Sequence, residues 1–332
     1  MEIKAKLLLL VALMVGTVSV VAQTTTKQPP TDPTVTGNTC RIEVAATQCN
    51  NDEPPCPRSL GLSSYKPAKS CREIFRCNPS SPSGYYWLKS ASMECREVYC
   101  DMDTTHCNIK GGWMRVAYLN MTEPGASCPT SLRQINTPAK LCGRRTAPGC
   151  SGVTYPVEGI RYSKVCGQAR GYQYFSTDAF RRLGSNVVDI NSYYVDGVSL
   201  TYGSPRHHLW TFASGLSDDD NYSEGSHANG AFNCPCAKHP GEAPPAFVGL
   251  DYFCESGITG RHQDNNRIAL DDPLWDGDGC GPDNNCCAQA GMPWFCRTLP
   301  QEVSEDIDVR LCSDQGTQNE EIYVDLLEVY VQ

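Results

Sequence analysis

The sequence predicts a strand-dominated α+β protein that is rich in disulfide bonds. It contains 20 cysteines in 332 residues, and its short aromatic and β-branched runs are bounded by Gly, Pro, Asn and Asp, which is typical of strands and turns. Helical signals are few. The cysteine count is even, so an oxidising compartment would allow all of them to pair, clamping long loops against proteolysis.

Residues 1–22 have the pattern of a signal peptide. Lys4 and Lys6 precede a short apolar stretch, and small residues lead up to Ala22. The stretch is shorter than the roughly 20 residues that span a bilayer, so we expect cleavage rather than anchoring. We find no later segment with the character of a membrane span. The protein is therefore expected in the extracellular space or extracellular matrix.

Four segments follow the leader. Residues 23–39 are rich in Thr and Pro and predict an extended stalk. Residues 40–69 form a linker with three cysteines, at least one of which must pair with another segment or another molecule. Residues 70–119 and 120–332 make up the main fold. The sequence leaves undecided whether the protein forms a disulfide-linked or a non-covalent oligomer.

Strand-like patterns recur through the main fold. In the last alternating run Ile322, Val324 and Leu326 share a face, and the doublet Leu326-Leu327 predicts a bulge or a strand buried on both faces. The expected strands are Gly84–Leu88, Glu97–Cys100, Gly112–Leu119, His208–Phe212, Ile307–Leu311 and Ile322–Val331.

Turn and helix signals complete the pattern. The dipeptide Asp196-Gly197 predicts a hairpin between Tyr193–Val195 and Val198–Leu200, because these residue types accept the backbone of a tight turn. Short helices are expected at Cys71–Phe75 and at Thr177–Leu183, the second of which is followed by a glycine.

The charge of the chain restricts its partners. The formal net charge is −9 at pH 7, and removal of a leader with two lysines and one glutamate makes it more negative. An acidic surface disfavours nucleic acid and anionic membranes, and it is compatible with Ca²⁺ or basic partners. The sequence also lacks a nucleophile elbow, a metalloprotease helix, a phosphate loop and a dinucleotide fingerprint. We therefore expect no nucleic-acid partner and no catalysis.

One acidic stretch is a candidate calcium site. Asp272, Asp276 and Asp278 lie in a turn-rich segment and supply the carboxylate oxygens that Ca²⁺ prefers. The spacing is not that of an EF-hand, and a solvated surface loop is the alternative. Trp275 lies among these residues, where its ring could stack on a sugar whose hydroxyls are held by Ca²⁺.

Two sequences are acceptors for N-linked glycans. They are Asn120-Met121-Thr122 and Asn221-Tyr222-Ser223, and both are expected on exposed loops of a secreted glycoprotein.

Residues 70–119 resemble the opening of a fibrinogen-like domain. The resemblance rests on Ser70–Ile74, Gly84–Leu88, Val98–Met102 and Gly111–Val116. It implies a disulfide bond between Cys71 and Cys100, and intelectin-type lectins share the same opening. The family's calcium loop and disulfide-bounded ligand pocket have no recognisable counterpart after Leu119.

Much of the chain is also similar to secreted proteins of marine invertebrates, some of which occur in the organic matrix of coral skeletons. The resemblance includes Tyr194–Leu200, Arg206–Phe212, Cys234-Pro235-Cys236, Asp251–Glu255 and Asp272–Gly277. It implies a location in the extracellular matrix rather than a mechanism. Together with the lack of a catalytic motif, it leads us to expect a non-catalytic extracellular matrix protein, for which a calcified skeleton is one setting and matrix proteins, glycans or calcium mineral are the expected partners. The alternative is a calcium-dependent, carbohydrate-binding lectin of the fibrinogen-like or intelectin type.

Overall fold

The computed structural model describes residues 57–91, 94–136, 140–145, 149–175, 189–191, 196–215, 245–256, 294–313 and 320–332. Within these ranges the fold is strand-dominated, with one α-helix, α1 (Cys71–Cys77), and 15 strands. The strand-dominated, disulfide-containing character predicted from the sequence is confirmed. The predicted signal peptide, the stalk, most of the linker and the helix at Thr177–Leu183 lie outside the described residues.

The larger of the two main sheets has eight strands. They are β1 (Gly84–Leu88), β2 (Arg96–Asp101), β5 (Trp113–Asn120), β6 (Arg133–Asn136), β7 (Lys140–Gly143), β9 (Tyr162–Phe175), β13 (Trp294–Val303) and β15 (Glu320–Val331). β15 lies in the middle, with β9 along one edge and β5 followed by β7 along the other. β13 pairs with the far edge of β9, and β2 and β1 continue outward from β5. The strands of 70–119 therefore share a sheet with strands of 120–332.

The second main sheet has five strands. In spatial order they are β12 (Tyr252–Ser256), β11 (His207–Gly215), β10 (Gly197–Tyr202), β14 (Ile307–Ser313) and β8 (Gly149–Tyr155). Only the β11–β12 pair is parallel. A separate two-stranded hairpin consists of β3 (Thr105–His106) and β4 (Ile109–Lys110).

The two main sheets bury one apolar core between them. Leu119, Val165 and Val329 of the first sheet belong to the same cluster as Leu200 and Phe212 of the second. β15 is buried on both faces, as the sequence indicates, and its register with β9 shifts between Val324 and Leu326. The extra residue is therefore Asp325, immediately before the doublet, whereas Leu326 and Leu327 themselves pair regularly with Arg170 and Ala169.

Four disulfide bonds join described residues. They are Cys71–Cys100, Cys107–Cys296, Cys128–Cys142 and Cys150–Cys312. The second and fourth connect residues 189 and 162 positions apart, so they constrain the unfolded chain over long loops. Cys166 is a buried free thiol. Complete pairing of all 20 cysteines, which the even count allowed, is therefore not reached.

The start of β5 packs closely against α1. Ser70 caps this helix, and its Oγ accepts a hydrogen bond from the backbone N–H of Glu73. Gly112 has φ +73°, and a Cβ added there would lie 2.8 Å from the Cα of Arg72. Only glycine fits both the backbone conformation and the narrow space.

Of the hairpin predicted at Asp196-Gly197, Tyr193–Val195 lies outside the described residues, and the pairing of the other strand contradicts the prediction. Val198–Leu200 lies in β10, both edges of which are already paired, with β11 and with β14. Gly197 has φ +135°, and a Cβ there would lie 1.8 Å from the carbonyl oxygen of Phe212. The glycine is needed for close approach to β11 rather than for a tight turn.

Replacing Gly112 with Ala should lower the free energy of unfolding by about 2 kcal/mol or more, because the left-handed backbone and the Arg72 contact both oppose a Cβ. Gly84→Ala is the matched control, since a Cβ at Gly84 would meet nothing within 4 Å. Urea unfolding of the three proteins measures the difference. Equal losses for both variants would contradict the packing described here.

Candidate binding surface

A row of side chains on the outer face of the larger sheet begins at its β1 edge. Tyr85 of β1 lies opposite Tyr99 of β2, and their rings meet edge to face with centroids 5.6 Å apart. Arg115 of β5 is next in the row, with its guanidinium carbon 4.0 Å from the centroid of Tyr99. An aromatic pair and a cation–π contact thus join three neighbouring strands.

A β-bulge adds a fourth member to this row. β15 pairs Val329 with Ala117 but Tyr330 with Arg115, so β5 has one extra residue at Val116. The extra residue brings Arg115 and Tyr118 to the same face, although they are three positions apart. The Arg115 guanidinium lies 4.1 Å from the Tyr118 centroid. We call Tyr85, Tyr99, Arg115 and Tyr118 the aromatic–arginine ladder.

The ladder is open to solvent at both ends. Tyr85 is 65% exposed and Tyr118 is 38% exposed, whereas Arg115 is half-buried between two rings. Tyr and Arg are enriched where proteins bind other macromolecules, because they offer large contact areas and strong polar groups. Stacking also fixes the Arg115 side chain before any ligand arrives, which lowers the entropic cost of binding.

The Tyr118 end of the ladder borders a glycan acceptor sequence. The Tyr118 hydroxyl donates a hydrogen bond to Glu123, which raises the pKa of the tyrosine. The Asn120 amide nitrogen lies 3.4 Å from the same hydroxyl, and the Thr122 hydroxyl donates to Asn120 Oδ1 at 2.7 Å. Asn120 is partly exposed. Its glycosylation stays a prediction.

In the other direction the row continues from β5 across β15 and β9 to β13. Arg115 lies opposite Tyr330 of β15, Tyr330 lies opposite Cys166 of β9, and Cys166 lies opposite Cys296 of β13. Cys296 is bonded to Cys107, which lies between β3 and β4. The row therefore ends in a group of three cysteines, of which Cys166 is buried, Cys107 is half-buried and Cys296 is exposed.

His106 of β3 lies among the aromatic rings on this part of the outer face. Its ring stacks on Trp294 and Tyr330, with centroids 4.5 Å and 4.9 Å away, and it meets Trp113 edge to face at 5.8 Å. His106 is buried, while Trp294 is 39% exposed. These contacts hold the β3–β4 hairpin against the sheet.

A buried carboxylate organises the turn that leads into the hairpin. Asp101 Oδ2 lies 2.9 Å from His106 Nε2, and Oδ1 accepts hydrogen bonds from the backbone N–H groups of Asp103 and Thr104. Burial raises the pKa of Asp101, but the hydrogen bonds from His106 and Thr104 outweigh it and hold the pKa well below its usual range. Because these partners belong to the turn itself, we interpret the Asp101–His106 pair as a structural lock.

The sites predicted from the sequence fall partly within the described residues. Cys71 and Cys100 are bonded to each other, with their Cα atoms 5.4 Å apart, which is the pairing that the resemblance implies. The candidate calcium and sugar residues and the second glycan acceptor lie outside the described residues: Asp272, Trp275, Asp276, Asp278 and Asn221. In the ranges that the structure describes, no three His, Cys, Asp or Glu side chains are grouped as metal ligands.

The ladder was not predicted as a site. Its tyrosines lie in segments that the sequence predicts as strands, but three tyrosines and an arginine in strands do not reveal a shared face. The pairing register and the extra residue at Val116 bring them together, and neither has a local sequence signal.

No family model matches the chain, and a comparison with curated proteins finds no match. Among the described residues there is no helix long and apolar enough to cross a membrane.

Asp101→Asn should make the protein less stable at neutral pH, by about 2 kcal/mol, with a difference that shrinks as the pH falls below about 4. A carboxyl with a lowered folded-state pKa contributes stability above its unfolded pKa, and this contribution is lost as the pH falls toward the folded value. Thermal unfolding between pH 2 and pH 7 measures it. Glu97→Gln removes an exposed carboxylate from the same strand and should change little; a pH-independent deficit in Asp101→Asn would contradict the assignment.

Proposed function

We propose that this chain is a secreted, non-catalytic extracellular matrix protein that adheres to other matrix macromolecules through the aromatic–arginine ladder. The observation that carries the proposal is the ladder itself: Tyr85 and Tyr118 are exposed on a disulfide-linked sheet, and Arg115 is held between Tyr99 and Tyr118. Such a surface provides rigid aromatic anchors and one oriented cation.

The proposal includes a fibrinogen-like opening at residues 70–119. Three features support it: the Cys71–Cys100 bond, the short helix at the first cysteine, and Gly111 and Gly112 packed against that helix before the tryptophan strand. It also includes N-linked glycans at Asn120 and Asn221.

The long-range disulfide bonds support a function outside the cell. The Cys107–Cys296 and Cys150–Cys312 bonds each connect distant parts of the chain. Bonds of this kind restrict the unfolded state and slow the openings that expose a chain to proteases. Because disulfide bonds form and persist in oxidising compartments, these bonds support an extracellular location.

The adhesive role can be tested with purified mature protein and an immobilised extract of extracellular matrix. Tyr85→Ala and Arg115→Ala should each weaken retention by about tenfold, which corresponds to about 1.4 kcal/mol. Tyr65→Ala is the matched control, because Tyr65 is 49% exposed and lies outside the ladder. Its retention should equal that of the wild type.

The same assay, run with Ca²⁺ and with a chelator, separates the proposal from the lectin alternative. Adhesion through the ladder should persist in chelator, since it uses no metal. Retention that is lost in chelator, is inhibited by one class of sugar and is unaffected by Tyr85→Ala would overturn the proposal. That result would favour a calcium-dependent lectin, for which Asp276→Asn and Asp278→Asn are the next variants.

A further inference from the structure

Three cysteines lie together at the β13 end of the row on the outer face. Cys296 is bonded to Cys107, and its directly opposed residue across the β9–β13 pair is the free thiol Cys166. Cys166 packs with Trp113 and Tyr330, and Cys107 packs against the same cluster. A buried thiol therefore lies beside a disulfide bond whose two cysteines are half-buried (Cys107) and exposed (Cys296).

The strand register puts Cys166 within bonding reach of Cys296. Directly opposed residues of an antiparallel pair have Cα atoms about 4.5 or 5.5 Å apart, and their side chains lie on the same face. Disulfide bonds form at Cα separations of about 4.4–6.8 Å. The existing Cys107–Cys296 bond has a Cα separation of 5.5 Å. Cys296 thus has two partners at suitable distances.

We propose that Cys107, Cys166 and Cys296 form an internal thiol–disulfide exchange site. Cys166 loses its proton and its sulfur attacks Cys296 Sγ. The Cys166–Cys296 bond forms, the Cys107–Cys296 bond breaks, and Cys107 leaves as a thiolate that takes up a proton. The reaction has no net oxidation and needs no added oxidant or reductant. It does not depend on the proposed adhesive function.

The surroundings of Cys166 keep this exchange slow in the closed structure. Burial, with smaller contributions from the carboxylates of Asp101 and Glu328, raises the pKa of the Cys166 thiol. Only the thiolate attacks a disulfide, so a raised pKa lowers the reactive fraction. Opening of the β3–β4 hairpin would admit water to Cys166 and remove part of this barrier.

The exchange has a structural consequence. It removes the only disulfide bond in the described residues that ties the β3–β4 hairpin to β13, and it replaces that bond with one between two adjacent strands. Cys107 is half-buried, whereas Cys166 is buried, so the thiol moves to a more accessible position. In the exchanged form Cys107 can react with small thiol reagents and with cysteines of other molecules.

The first test follows the position of the thiol in the native wild-type protein. The protein is incubated at pH 8.5 without reductant for hours, the timescale of uncatalysed disulfide rearrangement, then treated with a maleimide and mapped by mass spectrometry. The proposal predicts growing maleimide attachment at Cys107 together with a Cys166–Cys296 linked peptide. In Cys166→Ser, attachment at Cys107 should be at least about tenfold lower. Equal attachment in both proteins, or none in either, would overturn it.

A second test does not depend on the rate of exchange. In secreted Cys107→Ser protein, Cys166 and Cys296 should be joined by a disulfide bond. Cys128→Ser is the matched control: it leaves Cys142 buried without its partner, and that protein should retain thiols at both Cys142 and Cys166. Two free thiols at Cys166 and Cys296 in Cys107→Ser would contradict the proposed reach. If this variant does not fold, the comparison of the wild type with Cys166→Ser still decides.

Discussion

The pairing of β15 along both of its edges is the constraint on which the rest of the structure depends. On one side it pairs with β9 from Glu320 to Val331, and on the other it pairs with β5 and β7. The side chains of such a strand must be apolar on the face toward the core, and those on the outer face must also pack against the residues that cover them. Leu327 and Val329 meet the first requirement and Tyr330 meets the second, because it lies beneath the β3–β4 hairpin. Through β15, residues 326–331 become neighbours of residues 114–120, which are far away in the sequence.

The outer face of this sheet gains its character from the same pairing. Val329 and Tyr330 are consecutive in β15 but pair with Ala117 and Arg115 of β5, so β5 has a bulge between these two residues. The bulge places Arg115 beside both Tyr99 and Tyr118. The partner of Arg115 on β15 is Tyr330, whose partner on β9 is Cys166. An exposed surface suited to recognition and a group of three cysteines are therefore successive parts of one cross-strand row. Displacement of β15 would alter both.

The predictability of each feature depends on whether its cause is local. The strands at Gly84–Leu88 and Ile307–Leu311 and the helix at Cys71 could be predicted because residue type and alternation decide them. The Asp196-Gly197 dipeptide was misleading, since the close approach of β11 requires the same glycine that a tight turn would. The ladder and the environment of Cys166 depend on the register between strands far apart in sequence, which composition and periodicity do not encode. The disulfide at Cys71 and Cys100 was accessible only through the resemblance of residues 70–119 to a known family.

The measurement that tests the central claim most directly is hydroxyl-radical footprinting of the mature protein, free and bound to immobilised matrix extract. If the ladder is the adhesive surface, binding should reduce the oxidation of Tyr85 and Tyr118, while Tyr65 and the fully exposed Leu250 keep their reactivity. Unchanged oxidation of both ladder tyrosines in the bound protein would show that adhesion uses another part of the chain and would contradict the account.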